Sequence, residues 1–549
     1  MKRRFFKKKP LVTLPPKFQL KPEYKEKVRI QSYLGKKGYT IPKVVLEAED
    51  IVQIKETLLL KPFIAGPQYG GPQEETAFPV YRENTAKIYL PRFFGIERYG
   101  LPDRSEIECG RSIDCPFTKD LRDYQHNIIN IYLDHVRKPM HNGPDPHCGF
   151  GGGAILEVPC GRGKTVMALK IISEIQKKTL ILVHKEFLMN QWIERIAEFL
   201  PSARIGKIQG QTQDIEGKDI VIGMIQTMYN RDFPSEFFDP FGLTIIDEVH
   251  RIGSEEFSKT LFKTVTPNML GISATVDRKD KLTKLLYMFI GPKIYSEDRK
   301  DDDIVQVRGI EFGSNDPEYS TMEYDFRGNP KYSTMITKIC AFGPRSDFIV
   351  RILDDLLKEN PENQIMVLAH NRSLLSYLFD AIQYKIGEQR GSVGFYIGGM
   401  KEKDLKITEG KRIVLATYAM AAEALDIKTL STLVMATPKT DIEQSVGRIL
   451  RAKHASPIVV DIIDSHDLFK NQWRSRKTFY KKCDYRILYT NSTKYGGFVR
   501  PLHPDGIEPI DLMKDTNWKV EYEPKKKEEV CHKEPIVAKC AIDIPAGFE

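Results

Sequence analysis

The stretch Ile155-Leu156-Glu157-Val158-Pro159-Cys160-Gly161-Arg162-Gly163-Lys164-Thr165 decides the fold, because an apolar run leads directly into glycines, a lysine and a hydroxyl. Apolar residues at helical spacing follow it, from Val166 to Ile175. In a strand, loop and helix of this kind, backbone N–H groups and the helix N-terminus hold phosphate oxygens and the lysine neutralises them. The sequence therefore predicts a nucleotide site with these residues: Val158, Pro159, Cys160, Gly161, Arg162, Gly163, Lys164 and Thr165.

Short β-branched runs alternate with helical patterns in two successive series, which predicts two parallel sheets, each covered by helices. The fold class is thus α/β, with two tandem lobes, a small N-terminal accessory domain and a C-terminal extension. The runs of the first series are 155–158, 180–183, 220–222, 243–246 and 270–272. Those of the second are 365–368, 393–396, 413–415, 433–435 and 458–460.

Composition shifts along the chain predict six segments. They are a basic flexible arm over 1–40, an accessory domain rich in Pro, Gly and aromatics over 41–115, the first lobe over 116–300, a linker over 301–335, the second lobe over 336–481 and an extension over 482–549. The net charge of +9 lies in the arm, where residues 1–29 hold eleven Lys or Arg and two Glu. Such an arm could bind the phosphate backbone of a nucleic acid or act as a nuclear localisation signal. The alternative is a solvated leader that aids solubility.

A length of 549 residues with 41% hydrophobic content indicates a globular protein of two to four domains. Apolar runs stay well short of the 18 residues that a membrane span needs, and the N-terminus lacks the apolar core of a signal peptide. We therefore expect no membrane association and an intracellular location, in the cytoplasm or the nucleus. The eight cysteines are scattered, and Cys531, His532 and Cys540 have irregular spacing, which favours reduced thiols over a zinc site.

Two adjacent carboxylates end the apolar run 243–246, in the stretch Ile245-Ile246-Asp247-Glu248-Val249-His250. Asp247, with the hydroxyl of Thr165, suits Mg²⁺, and Glu248 suits orientation and deprotonation of an attacking water. The pair lies about 80 residues after Lys164, a separation that fits another strand of the same sheet. This favours a catalytic role over a surface position.

Three further stretches supply polar groups. Gln125 can pair with an adenine edge, and Ser273-Ala274-Thr275 ends a strand with small hydroxyls suited to coupling neighbouring sites. Arg448 and Arg451 lie three apart in Gln444-Ser445-Val446-Gly447-Arg448-Ile449-Leu450-Arg451, so both project from one helix face and can stabilise charge on a transferring phosphoryl group.

These stretches, with Thr417 to Asp426, resemble motifs I, II, III, V and VI of superfamily 2 helicases over roughly residues 115–480. Leu121-Arg122-Asp123-Tyr124-Gln125 and Ser273 to Asp280 are most similar to repair helicases of the xeroderma pigmentosum B type, their phage relatives, and the transcript-release helicases of poxviruses and other large DNA viruses. Tyr89 to Gly95 points towards the viral branch. Lys279 replaces an acidic residue of the repair helicases, and Ala424 replaces a motif V glycine.

The resemblance implies two RecA-like lobes, ATP and Mg²⁺ as cofactors, and a nucleotide contact from Asp426. It also implies coupling roles for His250 and Gln444. A nucleic-acid track that grips phosphates without reading bases would be lined by these residues: Gln191, Trp192, Gln226, Thr227, Arg372 and Thr417.

The expected function is that of an ATP-dependent DNA helicase or translocase, acting in viral transcription or in DNA repair or replication. An RNA helicase and an ATP-switched scaffold of a transcription complex remain alternatives, because the motif set grips the backbone of both polymers. We expect a monomer with DNA or RNA as partner, RNA polymerase or other transcription factors as further partners, and packaging in a virion if the source is viral.

Overall fold

The computed structural model describes the chain in two compact units. Of the described residues, the first holds those up to Val158 and Lys164–Ser296, and the second holds those of Pro159–Gly163 and those from Glu297 onwards. The described residues are 20–61, 77–142, 150–159, 162–249, 254–274, 276, 282–297, 305–423, 427, 429–440, 442–447, 457–503 and 506–524.

The first unit begins with a small antiparallel sheet in the order β1-β2-β6-β5, flanked by helices. Tyr24 and Val28, four residues apart on α1, are buried, while Lys27 between them is exposed. The predicted arm over 1–40 therefore extends too far, because residues 22–40 are folded into α1, β1 and most of β2. The elements are α1 Pro22–Gln31, β1 Tyr33–Gly35, β2 Gly38–Pro42, a 3-10 turn Lys43–Val45, α2 Ala48–Thr57, β3 Leu59–Leu60, β4 Phe78–Pro79, β5 Arg82–Glu83, β6 Lys87–Leu90 and α3 Arg92–Tyr99.

An eight-stranded sheet follows, in the order β10-β9-β11-β8-β12-β13-β7-β14, with all pairs parallel except β10 with β9. The five predicted runs are five of its strands, so the α/β prediction is confirmed for this unit. Its elements are α4 Asp123–Val136, β7 Gly152–Glu157, α5 Lys164–Ile175, β8 Thr179–Val183, α6 Glu186–Phe199, β9 Ile205–Gln209, β10 Thr212–Gln213, β11 Ile220–Met224, α7 Ile225–Asn230, β12 Leu243–Asp247, α8 Ser254–Leu261, β13 Asn268–Ser273, α9 Thr283–Ile290 and β14 Lys293–Ser296.

Accessory domain and sheet share one hydrophobic core, because successive strand residues point to opposite faces. Ile155 packs with the accessory residues on one face, whereas Leu156 packs on the other, against α4, α5 and α6. Arg92, at the start of α3, is 3% exposed and donates to the carbonyls of Thr266 and Pro267 at 3.1 and 2.9 Å. Arg92 thus attaches the accessory domain to the segment that leads into β13.

The second unit holds another eight-stranded sheet, in the order β17-β18-β16-β19-β20-β15-β21-β24, parallel except for β21 with β24. All five predicted runs of the second series are strands of this sheet. Its elements are β15 Gln306–Phe312, α10 Pro317–Ser320, α11 Tyr332–Ala341, α12 Gly343–Glu359, β16 Gln364–Ala369, α13 Arg372–Lys385, α14 Glu388–Gly391, β17 Val393–Tyr396, α15 Glu402–Glu409, β18 Ile413–Thr417, α16 Tyr418–Glu423, β19 Leu430–Met435, α17 Glu443–Val446, β20 Ile458–Asp464, α18 Asp467–Lys482, β21 Arg486–Asn491, β22 Val499–His503, β23 Gly506–Pro509 and β24 Lys519–Tyr522.

Two of the predicted segment boundaries disagree with the strands that form this sheet. The segment 301–335 was expected to be a linker, yet β15 lies inside the sheet between β20 and β21. The extension 482–549 supplies β21 and β24, so the lobe does not end at residue 481. Both differences have one cause: charged neighbours surround short apolar runs, and strand pairing with distant residues decides their state.

Strand β20 carries two buried ion pairs. Asp464 accepts from Arg345 at 2.6 and 2.9 Å, and both side chains are 0% exposed. Asp461 accepts from Arg476 at 2.7 and 2.8 Å, with both side chains 1% exposed. Bidentate geometry of this kind is the arrangement in which a buried charge pair is best compensated.

Cys109 is disulfide-bonded, so the expectation of reduced thiols is wrong at this position, while Cys115, Cys340 and Cys483 are free. Spacing in sequence did not reveal which thiols come together in space. In the part of the chain that the structure describes, helices long and apolar enough to cross a bilayer are absent.

Candidate nucleotide site

The carboxyl ends of parallel strands bring the predicted groups to one edge of the first sheet. Ser273 lies opposite Glu157, and Asp247 lies opposite Ile272, in the registers of β13 with β7 and of β12 with β13. Ligands of open parallel sheets bind at this kind of edge. The sheet therefore places the end of the strand before the phosphate loop, the carboxylate pair and the start of the Ser273 segment side by side.

The phosphate loop leaves β7 at a fixed point, because the buried Val158 donates its N–H to the Ser273 carbonyl at 2.9 Å. Gly163 has φ +78°, which glycine adopts without strain, and α5 begins at the next residue, Lys164. The Arg162 side chain forms an ion pair with Glu297. Cys160 and Gly161 lie outside the described residues, and Pro159 carries the carbonyl that accepts from Arg162 N–H at 3.4 Å.

Lys164 and Glu248 converge at the sheet edge, with Lys164 Nζ 3.6 Å from Glu248 Oε1. Glu248 has φ +50°, a left-handed conformation that costs about 1–3 kcal/mol in a residue with a side chain. Its N–H donates to the Ile272 carbonyl at 3.0 Å, which holds it there. Backbone strain of this kind concentrates at functional sites.

Asp247 is 8% exposed, and burial raises its pKa to about 6, with the charge of Glu248 adding to the effect. Lys164 and a hydrogen bond from Trp192 act in the opposite direction. A carboxylate oxygen and the Thr165 hydroxyl at the start of α5 are hard oxygen ligands of the kind Mg²⁺ prefers. The donor set therefore fits Mg²⁺, whose positive charge would favour the ionised form of Asp247.

Trp192 does not lie on the surface, and its predicted place on the nucleic-acid track is wrong. It is 2% exposed, and its indole Nε1–H donates to Asp247 Oδ2 at 3.0 Å. Leu188 and Ile196, four residues before and after it on α6, are buried with it. That spacing was a visible sign of burial in the sequence. Trp192 is thus a positioning residue for the carboxylate.

We expect Trp192→Phe to lower kcat for ATP hydrolysis about tenfold or more and to raise the Mg²⁺ concentration needed for half-maximal rate. A hydrogen bond to a charged group is worth about 1.5–3 kcal/mol, and phenylalanine keeps the bulk while losing the donor. The measurement is an ATPase titration with Mg²⁺. Trp473→Phe, at a buried tryptophan of the second unit, is the matched control. Equal Mg²⁺ curves for the two variants would contradict the positioning role.

Glu157 was missed by the sequence analysis as a site residue. Its Oε1 accepts from Val276 N–H at 2.7 Å, and its Oε2 accepts from Lys293 Nζ at 2.7 Å and Ser296 Oγ at 2.6 Å. Burial works to raise the pKa of Glu157, but these donors outweigh it and lower the pKa. The carboxylate joins the strand before the phosphate loop to the segment after Ala274. A charged residue ending an apolar strand was the available signal.

Gln125 is buried, and its side-chain oxygen accepts from Arg122 N–H at 3.0 Å at the start of α4. Ser273 is fully buried and Ala274 nearly so, at the end of β13. Gln444 lies in helix α17, of which the backbone is described. The remaining predicted residues lie outside the described residues: His250, Thr275, Asp426, Arg448 and Arg451.

The other predicted track residues follow strand ends in each unit. In the first unit, Gln191 lies on α6, and Gln226 Nε2 donates to the His184 carbonyl at 3.0 Å. Thr227 Oγ accepts from Gly210 N–H at 3.0 Å. In the second unit, Arg372 donates to the Gly398 carbonyl at 2.5 Å, and Thr417 ends β18. Gln226, Thr227, Arg372 and Thr417 lie at or just beyond the carboxyl ends of parallel strands, whereas Gln191 lies further along α6.

Known proteins resemble this chain over most of its length. A sequence family described as "Type III restriction enzyme, res subunit" matches residues 118–278. A protein of Acanthamoeba polyphaga mimivirus named "Putative ATP-dependent RNA helicase" is 33% identical over 468 residues, 83% of this chain and 86% of that protein. African swine fever virus has one of the same description, 27% identical over 77% of this chain and 84% of that protein.

A "DNA 3'-5' translocase" of Sulfurisphaera tokodaii is 23% identical over 68% of this chain and 89% of that protein. Among solved structures, a fragment of a "putative HsdR subunit" of a type I restriction enzyme from Vibrio vulnificus superposes with a TM-score of 0.47 at 16% identity, covering 69% of this chain and 70% of that one. The fold class therefore rests on the strand order of the chain itself. The identity and coverage of the mimivirus relative show the family: the chain is an ATP-dependent helicase of superfamily 2, similar to the xeroderma pigmentosum B type and to helicases of large DNA viruses.

Proposed function

We propose that this helicase hydrolyses ATP at the carboxyl edge of its first sheet and uses the energy to move along DNA. The observation that carries the proposal is the convergence of Lys164, Asp247 and Glu248 at the end of the phosphate loop. One edge of the sheet holds a cation, a buried carboxylate and a second carboxylate on strained backbone. These groups suit phosphoryl transfer to water, which is catalysed mainly by positioning and charge stabilisation.

Each residue has a proposed part in the reaction. Lys164 and the N–H groups at the start of α5 neutralise the β- and γ-phosphate oxygens, and Gln125 orients the adenine. Glu248 accepts a proton from the attacking water. Mg²⁺, when bound by Thr165 and Asp247, supplies positive charge to the phosphates. Trp192 keeps the Asp247 carboxylate in place.

Arg448 and Arg451 are proposed to stabilise charge on the transferring phosphoryl group. An arginine in this role is worth roughly 10³–10⁵ in rate. His250, Ser273, Ala274, Thr275 and Gln444 are proposed to couple hydrolysis to nucleic-acid contacts, and Asp426 is proposed to contact the nucleotide.

Gln191, Gln226, Thr227, Arg372 and Thr417 are proposed to grip the phosphate backbone. Amides, hydroxyls and a cation at strand ends contact phosphates without reading bases. A role in viral transcription beside RNA polymerase, or in DNA repair or replication, is consistent with the viral relatives and remains part of the proposal.

The relatives differ in the nucleic acid that their names give. The archaeal relative is named a DNA translocase, which supports DNA, whereas the two viral relatives are named RNA helicases, which supports RNA as the second candidate. A protein that contacts only the nucleic-acid backbone can distinguish RNA from DNA only through contacts to the 2′-OH.

We expect single-stranded DNA to stimulate the ATPase more than single-stranded RNA of matched sequence. The measurement is the initial rate of ATP hydrolysis against concentration of each polymer, followed by strand displacement on 3′- and 5′-tailed duplexes. Stronger stimulation by RNA would assign the helicase to RNA instead. Stimulation by neither polymer would contradict translocation itself.

A further inference from the structure

A short hairpin between β15 and α11, residues 323–331, stands out from the second unit. Tyr324 and Pro330 form a β-bridge. Lys331 N–H donates to the Glu323 carbonyl at 2.9 Å, and Asp325 N–H donates to the Asn329 carbonyl at 2.8 Å. The backbone of this hairpin is therefore closed by its own hydrogen bonds.

The Asp325 side chain stabilises the turn by accepting hydrogen bonds from backbone N–H groups. Its Oδ1 accepts from Arg327 N–H at 2.8 Å and from Asn329 N–H at 2.9 Å. Gly328 N–H donates to the Asp325 carbonyl at 3.0 Å, and Gly328 has φ +80°. An Asp side chain that caps two amides, followed by glycine in the left-handed region, gives a rigid turn. The tip is thus preorganised.

This rigid tip presents aromatic side chains to water. Phe326 is 86% exposed and Tyr324 is 54% exposed. The Arg327 guanidinium lies 5.1 Å from the centroid of the Phe326 ring. A single exposed aromatic needs no explanation, but one held outward by a braced turn beside a cation indicates a binding element.

The hairpin carries two cations, Arg327 and Lys331, and two carboxylates, Glu323 and Asp325. Arg327 and Lys331 have no carboxylate partner among the residues that the structure describes. The two acidic residues of the hairpin are engaged elsewhere: Asp325 faces backbone amides, and Glu323 Oε1 lies 3.8 Å from Lys338 Nζ. The surface offered to a ligand therefore combines ring faces with cations.

The base of the hairpin is anchored beside the carboxyl edge of the second sheet. Tyr332 OH donates to the carbonyl of Pro438, three residues beyond the end of β19. Lys338 Nζ donates to the Thr321 carbonyl at 2.7 Å. Strand β19 pairs in parallel with β16, so its carboxyl end lies at the edge that carries Arg372 and Thr417.

We propose that the 323–331 hairpin is a base-stacking element for single-stranded nucleic acid, with Phe326 as the stacking side chain and Arg327 and Lys331 as phosphate contacts. The proposal rests on the function proposed above, because a stacking platform needs a strand held along the same edge. Every base has a ring face, so stacking is tolerant of sequence, as translocation requires.

The first test places a fluorescent reporter at the tip. The three native tryptophans, Trp192, Trp473 and Trp518, are buried, so Phe326→Trp adds the one exposed indole. We expect its fluorescence to be quenched, with saturation, when oligothymidine or oligouridine is added to the full chain. Tyr384→Trp is the matched control, because Tyr384 is 89% exposed on helix α13 without a braced turn. Equal responses at the two positions would overturn the proposal.

The second test separates stacking from apolar burial. We expect Phe326→Ala and Phe326→Leu to raise the Kd for single-stranded nucleic acid at least about fivefold, while Phe326→Tyr stays near the wild type. ATPase activity without nucleic acid is expected to be unchanged in all three. An unchanged Kd for Phe326→Ala overturns the stacking role, and a Phe326→Leu variant equal to the wild type assigns the tip to an apolar protein contact instead.

Measurements on the wild-type chain separate a failure of the hairpin proposal from a failure of the proposed function. If nucleic acid stimulates wild-type ATPase and Phe326→Ala binds it equally well, only the hairpin proposal fails. If the wild type binds no nucleic acid, the proposed function fails first.

Discussion

Glu248→Gln is expected to lower kcat for ATP hydrolysis by about 10²–10⁴-fold while ATP still binds. Glutamine keeps the size and the hydrogen-bonding oxygen of the side chain, but it cannot accept the proton of the attacking water. Because the two side chains have the same length, the substitution removes the base while the backbone, with φ of +50°, is expected to stay as it is.

The measurement is single-turnover ATP hydrolysis together with binding of a fluorescent ATP analogue. Glu236→Gln, at an exposed glutamate of the same unit, is the matched control and is expected to match the wild type. Loss of nucleotide binding in Glu248→Gln would indicate that the contact with Lys164 at 3.6 Å matters for structure. Retention of nucleic-acid-stimulated ATPase would overturn the role of Glu248 as base.

Arg345→Met is expected to lower the free energy of unfolding of the second unit by about 3–5 kcal/mol. The substitution leaves Asp464 buried without its bidentate partner, and the carbonyl of Ala436 loses a donor at 2.8 Å. Tyr319 OH still donates to Asp464 at 2.9 Å, which is too little to compensate a full negative charge.

Urea unfolding followed by tryptophan fluorescence measures this effect, in a Trp192→Phe background where Trp473 and Trp518 both report on the second unit. Lys385→Met removes an exposed ion pair with Asp347 and is expected to cost under about 1 kcal/mol. Combining Arg345→Met with Asp464→Leu is expected to restore most of the stability, because no buried charge remains. Equal costs for Arg345→Met and Lys385→Met would contradict the importance of burial.

The sequence predicted the central strands of both sheets, because long apolar runs separated by helical patterns leave few alternatives. It also predicted the site groups on the carboxyl edge, since Lys164, Asp247 and Ser273 each follow such a run. The family inferred from these motifs is confirmed by the mimivirus relative.

Other features depended on distant pairing and were not predictable from local pattern. β15 resembled a linker because its strand neighbours, β20 and β21, come much later in the chain. Trp192 was assigned to the nucleic-acid track because its motif lies next to Gln191, although its apolar spacing placed it in the core. Glu157 was overlooked because its donors Val276, Lys293 and Ser296 come from two later segments.

The position of β15 has a consequence for synthesis on the ribosome. β15 is the first strand of the second unit to emerge, yet it is hydrogen-bonded to β21, roughly 180 residues later in the chain. At about 5–20 residues per second, its second partner is translated about ten seconds or more after it. Until β20 emerges both edges of this apolar strand are unpaired, and one edge stays unpaired until β21 follows, which leaves a template for aggregation. We therefore expect nascent chains that end before Arg486 to need a chaperone, whereas the first sheet is complete once β14 has emerged.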